Sequence, residues 1–145
     1  MLPKGLLIAI IIISFIGFLD ASYLTVQHYN QGIIPCVVFQ GCEQVTTSKY
    51  STIGDVPISL FGVIYYLAIF ISAIIFFDSK KDKTLFILGY LPIAGFVASM
   101  FLLFLQIFVI KALCIYCIIS VLTSTILFVL GLKVLQLRNE ILRQS

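Results

Sequence analysis

The chain has 145 residues, 61% of them hydrophobic and 10% charged, with a formal net charge of +3 and a mean hydropathy of +1.19. Soluble domains run about 45–50% apolar and about 25% charged, so a soluble globular domain is excluded and an integral membrane protein is expected. So small a positive excess excludes a nucleic-acid-binding surface, and the length suits one membrane domain over 1–145 with no repeat or low-complexity tail.

In chain order, four segments reach the roughly 20 apolar residues that a membrane-spanning helix needs. The first covers about 5–26 and carries one charge, Asp20. Lys4 precedes it as in a signal peptide, but the segment is too long and no small-residue cleavage site leads into a soluble domain. A retained helix is expected. An outer loop follows at 31–57. Structureless loops beyond about 12–15 residues are usually functional or disordered. Its apolar residues Ile33, Ile34, Val37, Val38 and Phe39 suit a lid lying on the membrane surface. A short helix is expected from near Glu43 to before Gly54, and Pro57 serves as a helix-start signal. The second span, 58–77, the third, 84–110, and the fourth, 112–132, carry no charge, and a tail follows at 133–145. Pro92, between Gly89 and Gly95, predicts a kink and close helix packing in the third span. The fold class expected is an all-α four-helix membrane bundle with one long loop after the first helix.

Orientation follows the distribution of Lys and Arg. Of nine such residues, Lys4, Lys80, Lys81, Lys83, Lys133, Arg138 and Arg143 fall on one side of the four-helix scheme, and Lys49 and Lys111 on the other. This bias predicts a cell (cytoplasmic) membrane protein with both termini in the cytoplasm. The 31–57 loop and the 111–113 turn then face outward. All four cysteines, Cys36, Cys42, Cys114 and Cys117, reach the compartment in which disulfides form and persist.

Cysteine is common in apolar interiors as a small inert residue, but that use predicts scatter among the spans. Here two closely spaced pairs stand in a loop and at a span end. Cys114 and Cys117, in "ALCIYCIIS", are three residues apart and share a helix face with Val121. The start of a helix offers unpaired N–H groups and the positive end of the dipole, which favour the thiolate, the reactive form. Cys36 and Cys42 enclose five residues. A disulfide across so short a loop adds little through chain entropy, so an exchangeable pair explains them better than a static staple. Zinc is the other use of four cysteines, with His28 available, but one pair would have to stay fixed at the membrane surface. No metal is expected.

Asp20 is the one ionisable residue inside a span, and such residues are functional hypotheses by default. Asp20, Tyr23 and Gln27 share a helix face at spacings of three and four, a face expected to turn toward the bundle interior. It can hydrogen-bond a ligand, relay protons or join helices. His28 reads as a solvated or capping residue. The dithiols together form an electron path. A soluble thiol partner reaches the loop pair, and a lipophilic acceptor reaches the C-x-x-C from within the membrane. With one histidine and no flavin or dinucleotide fingerprint, a membrane quinone, ubiquinone or menaquinone, is the expected two-electron acceptor. The alternative from another class is a structural or transport protein with four spans whose cysteines staple its outer face.

The residues resemble the vitamin K epoxide reductase family over nearly the whole chain, from "DASYLTVQHY" through the fourth span. The resemblance rests on Cys36 and Cys42 in the first outer loop, Ser48 six residues later, "PISLFG" entering the second span, and "CIYC" opening the fourth. The order, loop pair first and C-x-x-C last, separates it from the disulfide bond formation protein B family, whose C-x-x-C lies in the first loop. The resemblance implies a four-helix bundle around a quinone and a thiol oxidase. A separate thioredoxin-like partner would attack the Cys36–Cys42 disulfide at Cys36. Cys42 would attack Cys114, and Cys117 would be released beside the quinone. It also implies active-site roles for Ser48 and Phe61. In the animal enzymes an asparagine before the "S-x-F-G" stretch and a tyrosine four residues after the last cysteine bind the quinone oxygens. Here these positions are Ile58 and Val121, so plain quinone reduction is expected ahead of vitamin K epoxide reduction. Asp20, Tyr23, Phe61, Ser48 and Val121 are the candidate quinone contacts.

Overall fold

The structure is a computed structural model and describes residues 3–30, 52–53, 56–110 and 115–144. Four helices in it are long and apolar enough to cross a membrane: α1 (Lys4–Asn30), α2 (Ile58–Ser79), α3 (Asp82–Phe104) and α4 (Ile115–Gln144). Even the 22 residues of α2 extend about 33 Å, enough for a hydrocarbon core of about 30 Å. A π-helical segment, Leu105–Ile110, prolongs α3. The protein is therefore an all-α, multi-pass membrane bundle. Before α2 stands a minimal antiparallel ladder, β1 (Thr52–Ile53) and β2 (Val56–Pro57), pairing Thr52 with Pro57 and Ile53 with Val56. The expected loop helix after Glu43 lies outside the described residues.

Local chemistry sets the helix ends. The Pro3 carbonyl accepts the Leu6 and Leu7 N–H groups, and the Lys81 carbonyl accepts those of Thr84 and Leu85. Asp82 adds a negative charge to the first turn of α3, where the helix dipole favours it. Pro57 caps α2 in an extended conformation (φ −68°, ψ 143°). At the other end of α2, Lys80 adopts the left-handed conformation (φ 51°, ψ 39°) and donates its N–H to the Phe76 carbonyl. That αL cap permits a two-residue turn into α3.

The helices pack in a ring, α1 on α2, α2 on α3, α3 on α4 and α4 on α1. The lysine-rich α2–α3 turn therefore sits at the same end of the bundle as the start of α1, the "lysine end". The opposite end holds the close of α1, the start of α2 and the start of α4, and is the "cysteine end". The core runs through Leu7, Ile10 and Ala21 of α1, Tyr66, Ile69, Ala73 and Phe76 of α2, Leu85 and Leu88 of α3, and Leu127 and Val134 of α4. Most large apolar side chains outside this core are exposed, as lipid-facing residues are, because lipid supplies no hydrophobic drive for helices to pair.

Close approach between helices depends on small residues instead. The buried residues of α1 are Leu7, Ile10, Ser14, Gly17, Ala21, Leu24 and Thr25, a seam with steps of three and four along its length. Asp20, Tyr23 and Gln27, expected to face the interior, are half-buried beside this seam, with Asp20 Oδ2 buried and the Tyr23 ring against α4. The residues one position on, Ala21 and Leu24, are small or apolar and take the inward place. Pro92 leaves α3 a single helix and lies against α4. A Cβ on Gly131 would come within 3.1 Å of the Pro92 ring and 3.2 Å of the Leu88 carbonyl oxygen. Proline at 92 removes the N–H that would otherwise bond Leu88, and Gly131 lets α4 close over that carbonyl. Phe96 of α3 stacks on Phe128 of α4 with centroids 4.3 Å apart.

Candidate functional site at the cysteine end

Cys117 stands in the first described turn of α4, half-buried. Its neighbour Tyr116, inside the C-x-x-C, packs against Tyr23 of α1 with ring centroids 5.2 Å apart. Tyr23, chosen from the sequence as a candidate contact, is thus brought to the C-x-x-C. Val121, four residues past Cys117, is half-buried on α4, as is Ile58 at the start of α2. Phe61 lies on α2 with 49% of its surface exposed. Asp20 lies on α1 one turn before Tyr23. Cys36, Cys42, Ser48 and Cys114 lie outside the described residues, as does the side chain of His28. Among the described residues no three of His, Cys, Asp and Glu come together. The four-cysteine zinc alternative rests on residues outside them.

Below Cys117 the bundle contains a cluster of hydroxyls that sequence reasoning missed. Tyr66 of α2 is 1% exposed. Its Oη lies 2.8 Å from Thr123 Oγ1, 3.0 Å from Ser124 Oγ and 3.1 Å from Ser120 Oγ, and it donates to the Ser120 carbonyl at 3.0 Å. Thr123 donates to the same carbonyl at 2.9 Å. The closest backbone packing runs around the ring of helices, whereas Tyr66 reaches across the diagonal from α2 to α4. Its ring is seated on α1, where a Cβ at Gly17 would overlap it. Interhelical hydrogen bonds of this kind contribute about 0.6 kcal/mol on average and up to about 1.7 kcal/mol.

A second hydroxyl pair ties α1 to α2 nearer the cysteine end. Thr25 Oγ1 lies 2.9 Å from Ser59 Oγ and 2.8 Å from the Ala21 carbonyl. Gln106, 3% exposed, lies in the π-helical segment Leu105–Ile110. Such segments are frequent at functional sites. One sequence signal pointed to the main cluster. "SVLTST" places hydroxyls at positions 120, 123 and 124, one helix face in an otherwise apolar span. The partner, Tyr66, carried no such signal, being one tyrosine of a pair in a run of large apolar residues.

Tyr65 differs from its neighbour. Its ring meets that of Tyr66 edge-on at 4.9 Å and occupies a notch in α3 that a Cβ at Gly95 would fill. Its buried hydroxyl has no hydrogen-bond partner among the described residues.

Fold and site define a helical membrane protein that carries a cysteine in the first turn of its fourth helix, above a buried hydroxyl cluster. The Vitamin K epoxide reductase family profile matches residues 8–132, a range that reaches into all four helices and spans all four cysteines. The chain belongs to that family. A search of curated proteins found no match. Membership makes the chain, in general terms, a quinone-linked thiol oxidoreductase of a membrane. The residues present fit a quinone: the buried Tyr65 hydroxyl has no hydrogen-bond partner among the described residues, and the Tyr23–Tyr116 ring pair stands at the C-x-x-C.

Proposed function

We propose that the chain is a quinone-dependent thiol oxidase that re-oxidises a separate thioredoxin-like protein and so drives disulfide formation in exported proteins. The observation that carries this reading is Cys117, half-buried in the first described turn of α4, in a chain of this family with a second cysteine pair in the preceding loop. A thiolate of the partner attacks Cys36, forming a mixed disulfide and releasing the Cys42 thiolate. The partner's second thiolate resolves that bond and leaves oxidised, so Cys36 and Cys42 hold the electron pair. Cys42 attacks Cys114 and displaces Cys117 as a thiolate, and Cys36 then closes the loop disulfide again by attack on Cys42. Each step breaks one S–S bond and forms another. Cys114 and Cys117 end as the dithiol.

A quinone at this end of the bundle supplies the sink for two electrons and two protons as the Cys114–Cys117 disulfide re-forms. Tyr65 would donate a hydrogen bond to it. Tyr23, Asp20, Val121, Phe61 and Ser48 are the other candidate contacts. The orientation that this function needs is the one the lysine bias favours: a cell membrane, both termini in the cytoplasm and the cysteines outside. Ile58 and Val121 cannot donate side-chain hydrogen bonds, which favours simple quinone reduction over epoxide reduction.

The test is turnover by the purified full chain given a reduced thioredoxin-like dithiol protein and either ubiquinone or menaquinone. Quinone should be consumed, and Cys117→Ser should stop it. Normal turnover by that variant would refute the path. Reduced Cys42→Ser mixed with the oxidised partner should hold it on Cys36, whose thiolate attacks the partner's disulfide and releases one partner thiolate, seen as a mixed disulfide on a non-reducing gel. Its absence would remove Cys36 from the entry role.

A further inference from the structure

We infer that Tyr66 is a positioning residue for Cys117: its hydroxyl clamps the cysteine-bearing turns of α4 at one rotational setting, with the thiol toward the bundle interior. The inference deepens the redox reading of Cys117 and rests on it.

Three observations carry it. The first is helix phase. Cys117 and Ser124 are seven residues apart, so on a regular helix they lie within about 20° of each other in azimuth and about 10 Å apart along the axis. Whatever fixes the direction of Ser124 fixes that of Cys117. The second is the form of the clamp. Ser120, Thr123 and Ser124 spread over about 100° of arc to one side of Cys117, with Ser124 the nearest to its direction, and Tyr66 Oη lies within 3.1 Å of all three hydroxyls. A phenol has one proton to donate and lone pairs to accept with. With its proton on the Ser120 carbonyl, to which Thr123 also donates, it accepts from the Ser120 and Ser124 hydroxyls, so turning α4 either way draws part of this set away from it. The third is that the clamp is braced. The Tyr66 ring is buried and bears on Gly17 of α1, so the hydroxyl cannot follow a rotating helix.

The surroundings explain why α4 requires such a device. The C-x-x-C sits where the helix begins, and the residues facing lipid and those facing the interior are similarly apolar. Packing by apolar surface alone distinguishes the two settings weakly in a membrane. A thiol turned toward lipid meets neither the loop cysteine nor a ligand held inside the bundle.

The experiment uses the full chain in detergent, fully reduced, with neither quinone nor partner present. N-ethylmaleimide is added across a range of pH, and labelling of Cys117 is followed by peptide mass spectrometry with Cys36 as internal reference. Tyr66→Phe should change the Cys117 rate by at least about three-fold and shift its pH profile, with Cys36 unchanged, because thiolate content and access both set the rate. Thr123→Val should act in the same direction and Thr123→Ser should restore the original profile. The double variant Tyr66→Phe/Thr123→Val should add little, as partners in one network do. Ile69→Val, a loss of core packing away from the hydroxyls, should lower thermal stability without moving the Cys117 profile. Should Tyr66→Phe not fold, Thr123→Val and Ser124→Ala take its place. An unchanged Cys117 profile in the hydroxyl variants, or an equal change in Ile69→Val, overturns the inference. Because the labelling needs no acceptor, a chain that labels as expected yet reduces no quinone would refute the proposed function and leave the clamp standing.

Discussion

At the scale of single residues, the decisive contacts join large aromatic rings to missing side chains. Tyr66 lies on Gly17 and Tyr65 on Gly95. Gly17→Ala should therefore push the Tyr66 ring off its seat and lower stability by about 1–3 kcal/mol, the usual cost of overpacking. Gly62 is the contrast. A Cβ there would meet only the Ala21 methyl at 3.4 Å, an ordinary contact, and alanine favours helix over glycine. Gly62→Ala should hold or raise the melting temperature. Thermal unfolding of the two variants in the same detergent checks both. Little of this could be read from sequence. Every position of α1 around Gly17 is apolar or small, so hydropathy does not single out the inward face. The seam is marked by Ser14, Gly17 and Ala21, whose smallness matters only against a partner that the sequence does not name. The Asp20, Tyr23 and Gln27 face was drawn from polarity instead, and the structure sets it to the flank of the seam. Cys117 was legible for the opposite reason: a thiol pair at helix spacing is uncommon, and its chemistry is specific.

At the scale of elements, four long apolar runs separated by turn residues and charge are unambiguous, because a membrane demands helices of a known length. What happens within the third span was less open to view. A proline between two glycines predicted a kink and close packing, and the structure shows how the packing is made: Pro92 and the Leu88 carbonyl form the surface on which Gly131 rests. Gly131→Ala should cost about 1–3 kcal/mol, since a proline ring and a backbone oxygen cannot move aside. Gly89→Ala should cost less, because the atoms in its way belong to the end of the Leu135 side chain. Unfolding measurements on the pair decide the ranking. The π-helical segment Leu105–Ile110 had no signal in an apolar run. The α2–α3 turn holds Lys80 at φ 51°, where an L-residue costs roughly 1–2 kcal/mol. Lys80→Gly should stabilise the protein by about 1 kcal/mol, seen as a higher melting temperature.

At the scale of the whole molecule, the ring of helices separates two ends with different chemistry. One carries the lysine-rich turn, and the other carries Cys117, the Tyr23–Tyr116 pair and, deeper, the Tyr66 cluster. The proposed function requires the cysteine end to face outward. In intact cells a membrane-impermeant maleimide should label the reduced loop cysteines Cys36 and Cys42, and it should leave a cysteine introduced at Ser79 unlabelled until the cells are opened. The reverse pattern would contradict the orientation. The central claim is that electrons pass from the thiols to a quinone through Cys117, and anaerobic titration of the fully reduced chain with a short-chain ubiquinone tests it most directly. Four thiols carry four electrons and each quinone takes two, so the account predicts about two quinols per chain as both disulfides form. It predicts about one from the Cys36→Ser/Cys42→Ser variant and none from Cys117→Ser. A Cys117→Ser protein that still yields quinol, or a wild-type chain that keeps its four thiols in the presence of quinone, would contradict it.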